Sequence, residues 1–240
     1  MDELEYRHVR SEAGPLRRTF AARNFINVWQ EMFTHGRGLI NTVILVALTV
    51  TVSLLINPLA AYAMSRFKLP GAYKILLLLM ATMAFPPMVT MIPTFIMLRE
   101  MSLLNTFVAL VLPFAANGYM IFLLKGFFDS LPSELYEAAT LDGASEMRMF
   151  FQITLSLSKP ILAVVALQAF IWAYTMFLYP LVVCPREKMW LLSVWLYQWQ
   201  NTASIGGVFA SVLIACVPTL VIFLFAQKVI MRGIVVPVEK

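Results

Sequence analysis

Ser133-Glu-Leu-Tyr-Glu-Ala-Ala-Thr-Leu-Asp-Gly-Ala144 is a polar island between long apolar runs. Its composition reads as a short helix, a glycine-forced turn, and a second helix beginning near Ser145. Pro132 falls in the first turn of the short helix, where its missing N–H is harmless. Leu135, Ala138 and Ala139 share a face at i, i+3 and i+4 spacing. Two alanines there keep the surface low, so another protein can approach closely, and Glu137 beside them can pair with a basic partner residue. Gly143 supplies the left-handed residue that ends a helix at no steric cost. In a membrane chain such an element belongs outside the bilayer, where water or a partner satisfies its polar groups.

The flanking sequence places the island in a membrane chain. Hydrophobic residues make up 60% and charged residues 13%, against about half and a quarter in an average soluble domain. A bilayer core about 30 Å thick takes roughly 20 helical residues to cross. Uncharged stretches of that order run over 38–65, 75–98, 101–124, 160–185 and 208–227. The fold class is therefore all-α: a polytopic membrane protein with five transmembrane helices. Residues 1–37 form a non-membrane segment, 38–233 the transmembrane domain with a loop over 126–159, and 234–240 a tail. Trp190, Trp195 and Trp199, with the polar cluster Gln198 to Gly207, form an interfacial or loop segment before the last span. Prolines at 58, 86, 87, 93, 113, 180 and 218 predict kinked helices around a path.

Charge orients the chain. Loops on the side of Glu137 carry Arg66, Lys68, Lys74, Lys125, Arg148, Lys159, Lys228, Arg232 and Lys240. Near the span ends the opposite side has Arg23, Arg37, Arg99, Arg186 and Lys188. The positive-inside rule puts the island in the cytoplasm.

Several functions are excluded. The basic residues stand singly at the ends of apolar runs, which does not suit nucleic acid. Cys184 and Cys216 form no C-x-x-C, and His8 and His35 have no ligand set around them, so no metal or cofactor is expected. No charged residue lies within a span, which argues against a proton relay, an ion-coupled carrier, a voltage sensor or an intramembrane enzyme with catalytic residues. There is no G-x-x-x-x-G-K-[ST], so the chain is not itself an ATPase.

Glu137-Ala138-Ala139, then Asp142-Gly143-Ala144, Phe150, Ile153, Leu155 and Pro160, resembles the EAA signature of ABC-importer permease subunits. Ala60-Ala61-Tyr62-Ala63-Met64-Ser65-Arg66-Phe67 with Pro70-Gly71, Leu103-Leu104-Asn105-Thr106, Leu112-Pro113, Phe170 to Tyr174 and Pro180-Leu181 look like carbohydrate permeases of the maltose-transporter class. The likeness runs from about Phe20 to Gly233. It implies the smaller of two permease partners in a sugar importer of a bacterial or archaeal cell membrane. It also implies a second permease subunit, an ATP-binding cassette dimer docked on Glu137 to Ala144, and an extracytoplasmic sugar-binding protein. An importer for a non-sugar solute is the nearest rival, and a channel or enzyme that only imitates the loop is a more distant one.

Three departures from that pattern carry expectations. Ser156 stands where the family has proline, so the second loop helix should run straighter. Tyr174-Thr175-Met176 replaces a frequent Trp-Asn-acid, which weakens the carry-over of polar substrate contacts there. The family has six spans where five are read here, so a first apolar helix of roughly 20 residues is expected upstream of Met1, the alternative being a true five-span subunit inserted with help from its partner permease. Intramembrane polar and aromatic residues are the candidates for a substrate path: Asn117, Gln168, Trp172, Tyr174 and Thr175, with Asn57 beside them. Amides in such positions also serve as glue between helices.

Overall fold

The structure, a computed structural model, describes residues 16–34, 37–67 and 69–233; the 234–240 tail, His8 and His35 lie outside them. Every regular element among the described residues is helical. The long helix α2 (Gly38–Arg66) is central. Before it comes α1 (Leu16–Thr34); after it come α3 (Ala72–Thr82), α4 (Pro87–Glu100), α5 (Phe107–Val111) and α6 (Gly118–Asp129). The polar island holds α7 (Ser133–Leu141) and α8 (Glu146–Met149), followed by α9 (Leu155–Leu157), α10 (Lys159–Thr175), α11 (Leu178–Val183), α12 (Leu192–Trp199) and α13 (Ile205–Gly233).

Helix α2 is patterned inside-out. Asn41, Leu45, Thr49, Ser53, Asn57 and Ala61 recur every four residues, and all are buried against neighbouring helices. Val43, Ile44, Leu48, Leu55 and Leu59 lie on exposed faces. In lipid there is no hydrophobic gain from burying Leu, so small and polar residues mark the helix contacts. Helices α6 and α10 pack along this buried stripe, α3 packs on α6, and α13 packs on both α10 and α1.

Two helices are long and apolar enough to cross a membrane alone, α2 and residues Ile205–Leu224 of α13. Three bent pairs bring the number to as many as five, where each pair counts as one span. The stretch 75–98, read as one span, is α3 and α4 meeting at 96°. Pro86 and Pro87 cause the break, because Pro87 opens α4 as its first residue and neither proline can donate to a preceding carbonyl. The 160–185 stretch also divides, with α10 ending at Thr175 and α11 starting at Leu178.

Straightening by Ser156 does not occur. Residues 146–157 meet α10 at 83°, and Phe150–Thr154 form a π-helical turn. The proline at 160 is enough: it cannot bond the Ser156 carbonyl, and it disfavours helical geometry at the residue before it. The N-terminal segment holds more structure than its lack of an apolar run suggested. Val28 and Met32, one turn apart on α1, are 1% and 2% exposed.

The 50° break between α5 and α6 is closed by one side chain. Asn57 donates to Ser53 O at 2.9 Å and to Ala115 O at 3.3 Å. Its Oδ1 accepts from the Asn117 N–H at 2.8 Å. Interhelical side-chain bonds in membranes average only about 0.6 kcal/mol. Here removal leaves two backbone groups unpaired as well, so Asn57→Leu should destabilise by about 2 kcal/mol. Thermal unfolding of the detergent-solubilised protein should show this as a lower midpoint, with exposed Leu55→Ala nearly unchanged.

Candidate functional site: the α7–α8 element and its seat

Helix α7 starts after Pro132, which sits at the N-cap, one residue earlier than its sequence reading. The helix ends in a Schellman turn. Gly143 has φ +76°, the Gly143 N–H donates to Thr140 O at 3.0 Å, and the Ala144 N–H donates to Ala139 O at 2.9 Å. Ser145 then caps α8, its Oγ accepting from the Arg148 N–H at 3.4 Å. Glycine is favoured at 143 because a side chain there would meet the left-handed penalty even though the space around it is open.

The predicted Leu135–Ala138–Ala139 face is divided. Ala139 packs towards the core, with Ala144 beside it. Leu135, Ala138, Leu141 and Glu137 point outward, and Leu141 is 89% exposed. Leu141 at the tip of α7 and Met147 on α8, at 56%, are bare apolar side chains of the kind a protein partner covers. Asp142 and Gly143 are also exposed.

The residue that seats the element is Tyr136, which no motif had singled out. Its ring is 8% exposed among Phe128, Met149 and Phe150. Its hydroxyl lies 2.8 Å from Thr154 Oγ1, in the π-helical turn. The Arg66 guanidinium covers the ring face at 3.3 Å and donates to Phe128 O at 3.4 Å. Next to it, the Tyr62 hydroxyl donates to Glu146 Oε2 at 2.8 Å. The Ser65 hydroxyl donates to Asp129, which Lys125 also holds. The last turn of α2 therefore grips α6, α7 and α8 together. A Tyr at 136, three residues before Ala139 on the buried side of an otherwise polar helix, was the available signal.

The substrate-path candidates separate into two groups. Asn117 caps α6, its Oδ1 accepting from the Met120 N–H at 3.1 Å. Tyr174 donates to Ala215 O at 2.6 Å and stacks on Phe170, joining α10 to α13. Gln168, Trp172 and Thr175, at i, i+4 and i+7, share one exposed face of α10. Trp172 rests against Phe114 with ring centres 4.5 Å apart. Among the described residues no group of three or more His, Cys, Asp or Glu side chains is placed to hold a metal.

Comparison with known proteins gives this geometry a setting. Residues 56–236 match the family described as binding-protein-dependent transport system inner membrane component. The diacetylchitobiose uptake system permease protein NgcG of Streptomyces coelicolor is 31% identical over 211 residues, covering 85% of this chain and 70% of that one. The sn-glycerol-3-phosphate transport system permease protein UgpE of Yersinia pestis is 31% identical over 205 residues, covering 83% and 73%. Among solved structures, a chain of a bacterial ABC transporter involved in the import of the acidic polysaccharide alginate superposes with a TM-score of 0.75. It is 25% identical and covers 85% of this chain and 78% of that one.

Seating by Tyr136 can be measured. Tyr136→Phe removes one hydrogen bond and should cost about 1 kcal/mol. Tyr136→Ala also empties the space under Arg66 and should cost about 3–5 kcal/mol. Hydrogen exchange over 133–145 should be faster in the alanine variant and little changed in the phenylalanine variant.

Proposed function

This chain belongs to the family of binding-protein-dependent transport system inner membrane components, and on that premise we propose which parts of it perform transport and for what solute. It is a multi-pass permease subunit of an ABC importer. In our reading it is non-catalytic, works beside a second permease, and receives its solute from an extracytoplasmic binding protein. A dimer of ATP-binding cassette subunits sits on the cytoplasmic face, against α7.

One observation carries the assignment of the coupling site: the exposed Leu135, Ala138 and Leu141 beside Glu137, on a helix whose opposite side is locked to α2. A partner that fills this patch buries apolar area and meets a carboxylate at its edge. Its motion passes into α2 because Tyr136, Arg66, Tyr62 and Glu146 leave the element no independent freedom. Asp142, Gly143 and Ala144 fix the angle at which α8 leaves α7.

The solute is a sugar or oligosaccharide. The named functions of NgcG and of the alginate transporter support this, while UgpE is named for a phosphate ester. The exposed face of α10 favours the neutral solute: Gln168, Trp172 and Thr175 present an amide, an indole and a hydroxyl, with no cation to receive a phosphate. Asn117 and Tyr174 hold the surrounding helices in place.

The coupling assignment is tested by Glu137→Lys, which reverses charge at the docking edge, and by Gly143→Val, which strains the turn. Each should lower uptake by about tenfold, the loss that about 1.4 kcal/mol of docking free energy produces. Less ATPase should co-purify, with membrane abundance unchanged. Normal uptake and normal ATPase recovery in both would remove the coupling role.

A further inference from the structure

At the end of α2 opposite α7 there is a second concave site. A cavity of about 480 Å³ lies between α1 and the turn that leads from α12 into α13. Asn24, Asn27, Gln30 and Glu31 line it from α1, and Trp199 and Ser204 from the other side. Small-molecule sites span roughly 300–1,000 Å³, so the volume suits a ligand of one or two sugar rings.

The walls are built to come together. A Cβ on Gly206 would stand 2.3 Å from Asn24 Nδ2, and one on Gly207 would stand 3.1 Å from Trp199 Cη2. Consecutive glycines thus let α1 and the indole close on the start of α13. Trp199 is held in place by stacking on Trp195, with ring centres 5.4 Å apart and planes 10° from parallel. Ser204 Oγ accepts the Gly207 N–H at 3.2 Å, which fixes the turn.

We infer that this cavity is a binding subsite for a neutral saccharide at the extracytoplasmic mouth of the permease. Amide side chains both donate and accept, as sugar hydroxyls require. An indole offers an apolar face to the C–H side of a pyranose ring. The inference rests on the sugar-importer reading and on its orientation. It goes further in naming a site outside the membrane path.

The test uses the complete importer in nanodiscs, without nucleotide or binding protein. Tryptophan fluorescence is followed while diacetylchitobiose, maltotriose or xylobiose is added up to its solubility limit. Five tryptophans of this chain contribute, beside those of the other subunits, so the signal of interest is the part lost in Trp199→Phe. At least one neutral saccharide should give a saturable Trp199-dependent change, and Asn27→Ala should weaken it by about fivefold, the worth of one hydrogen bond. Normal ATPase co-purification controls for folding of both variants. The inference is overturned if no neutral saccharide gives such a change. It also fails if Asn27→Ala leaves that change undiminished. Uptake of labelled saccharides by cells is scored separately. Uptake without a Trp199-dependent signal removes this site and leaves the transport reading standing, whereas no uptake of any saccharide removes the transport reading itself.

Discussion

The Arg66 guanidinium stacked on the Tyr136 ring is the contact on which the rest of the arrangement depends. It joins the last turn of α2 to the exposed helix α7, and it is backed by the Tyr62–Glu146 hydrogen bond one turn away. The other end of α2 is held just as directly. Asn41 Nδ2 donates to the carbonyls of Lys188 and Trp190, each at 2.9 Å, and Thr42 Oγ1 accepts the Leu192 N–H at 2.8 Å. Between these anchors runs a helix of 29 residues, about 43 Å long at 1.5 Å per residue. A displacement imposed on α7 reaches the 188–192 segment through a single rod.

The bilayer explains why the remaining helices can be so broken. Inside hydrocarbon every backbone group needs a partner, so a helix can be interrupted only where protein supplies one. Asn57 does this for Ala115 and Asn117, and Tyr179 for the Ala109 carbonyl at 2.9 Å. Tyr174 joins α10 to α13 through the Ala215 carbonyl. Polar residues within the spans thus hold bends and helix pairs together. Gln168, Trp172 and Thr175 stay exposed on α10.

Much of this was legible in the chain, and the unread parts share a cause. Gly143 and Ser145 marked a turn and a cap, because each acts through its own backbone. The start of α2 at Gly38 and its end at Arg66 followed from where charge stops and resumes. Pro86 and Pro87 marked a kink, but the size of the 96° break was hidden because hydropathy averages over a window and gives no direction. Helix α1 was missed because Val28 and Met32 become a buried stripe only when α12 and α13 are present to cover them. Tyr136 lay inside the quoted island, yet its role depends on Arg66 and Thr154, remote in sequence. For the same reason Ala139 looked like part of the docking face while it packs inward. Local chemistry was readable; tertiary partners were not.

Opposite placement of the two ends of α2 is the central claim, since both the coupling of α7 and the mouth beside Trp199 require it. Single cysteines introduced as Ser145→Cys and Ser204→Cys, each in a Cys184→Ser, Cys216→Ser background, test it directly. Both serines are exposed. An impermeant maleimide applied to intact cells, with access to the outer face of the cell membrane, should label the Ser204→Cys protein, and should reach Ser145→Cys only after the membrane is opened. Labelling of Ser145→Cys from outside would contradict the account, because α7 would then face away from any source of ATP.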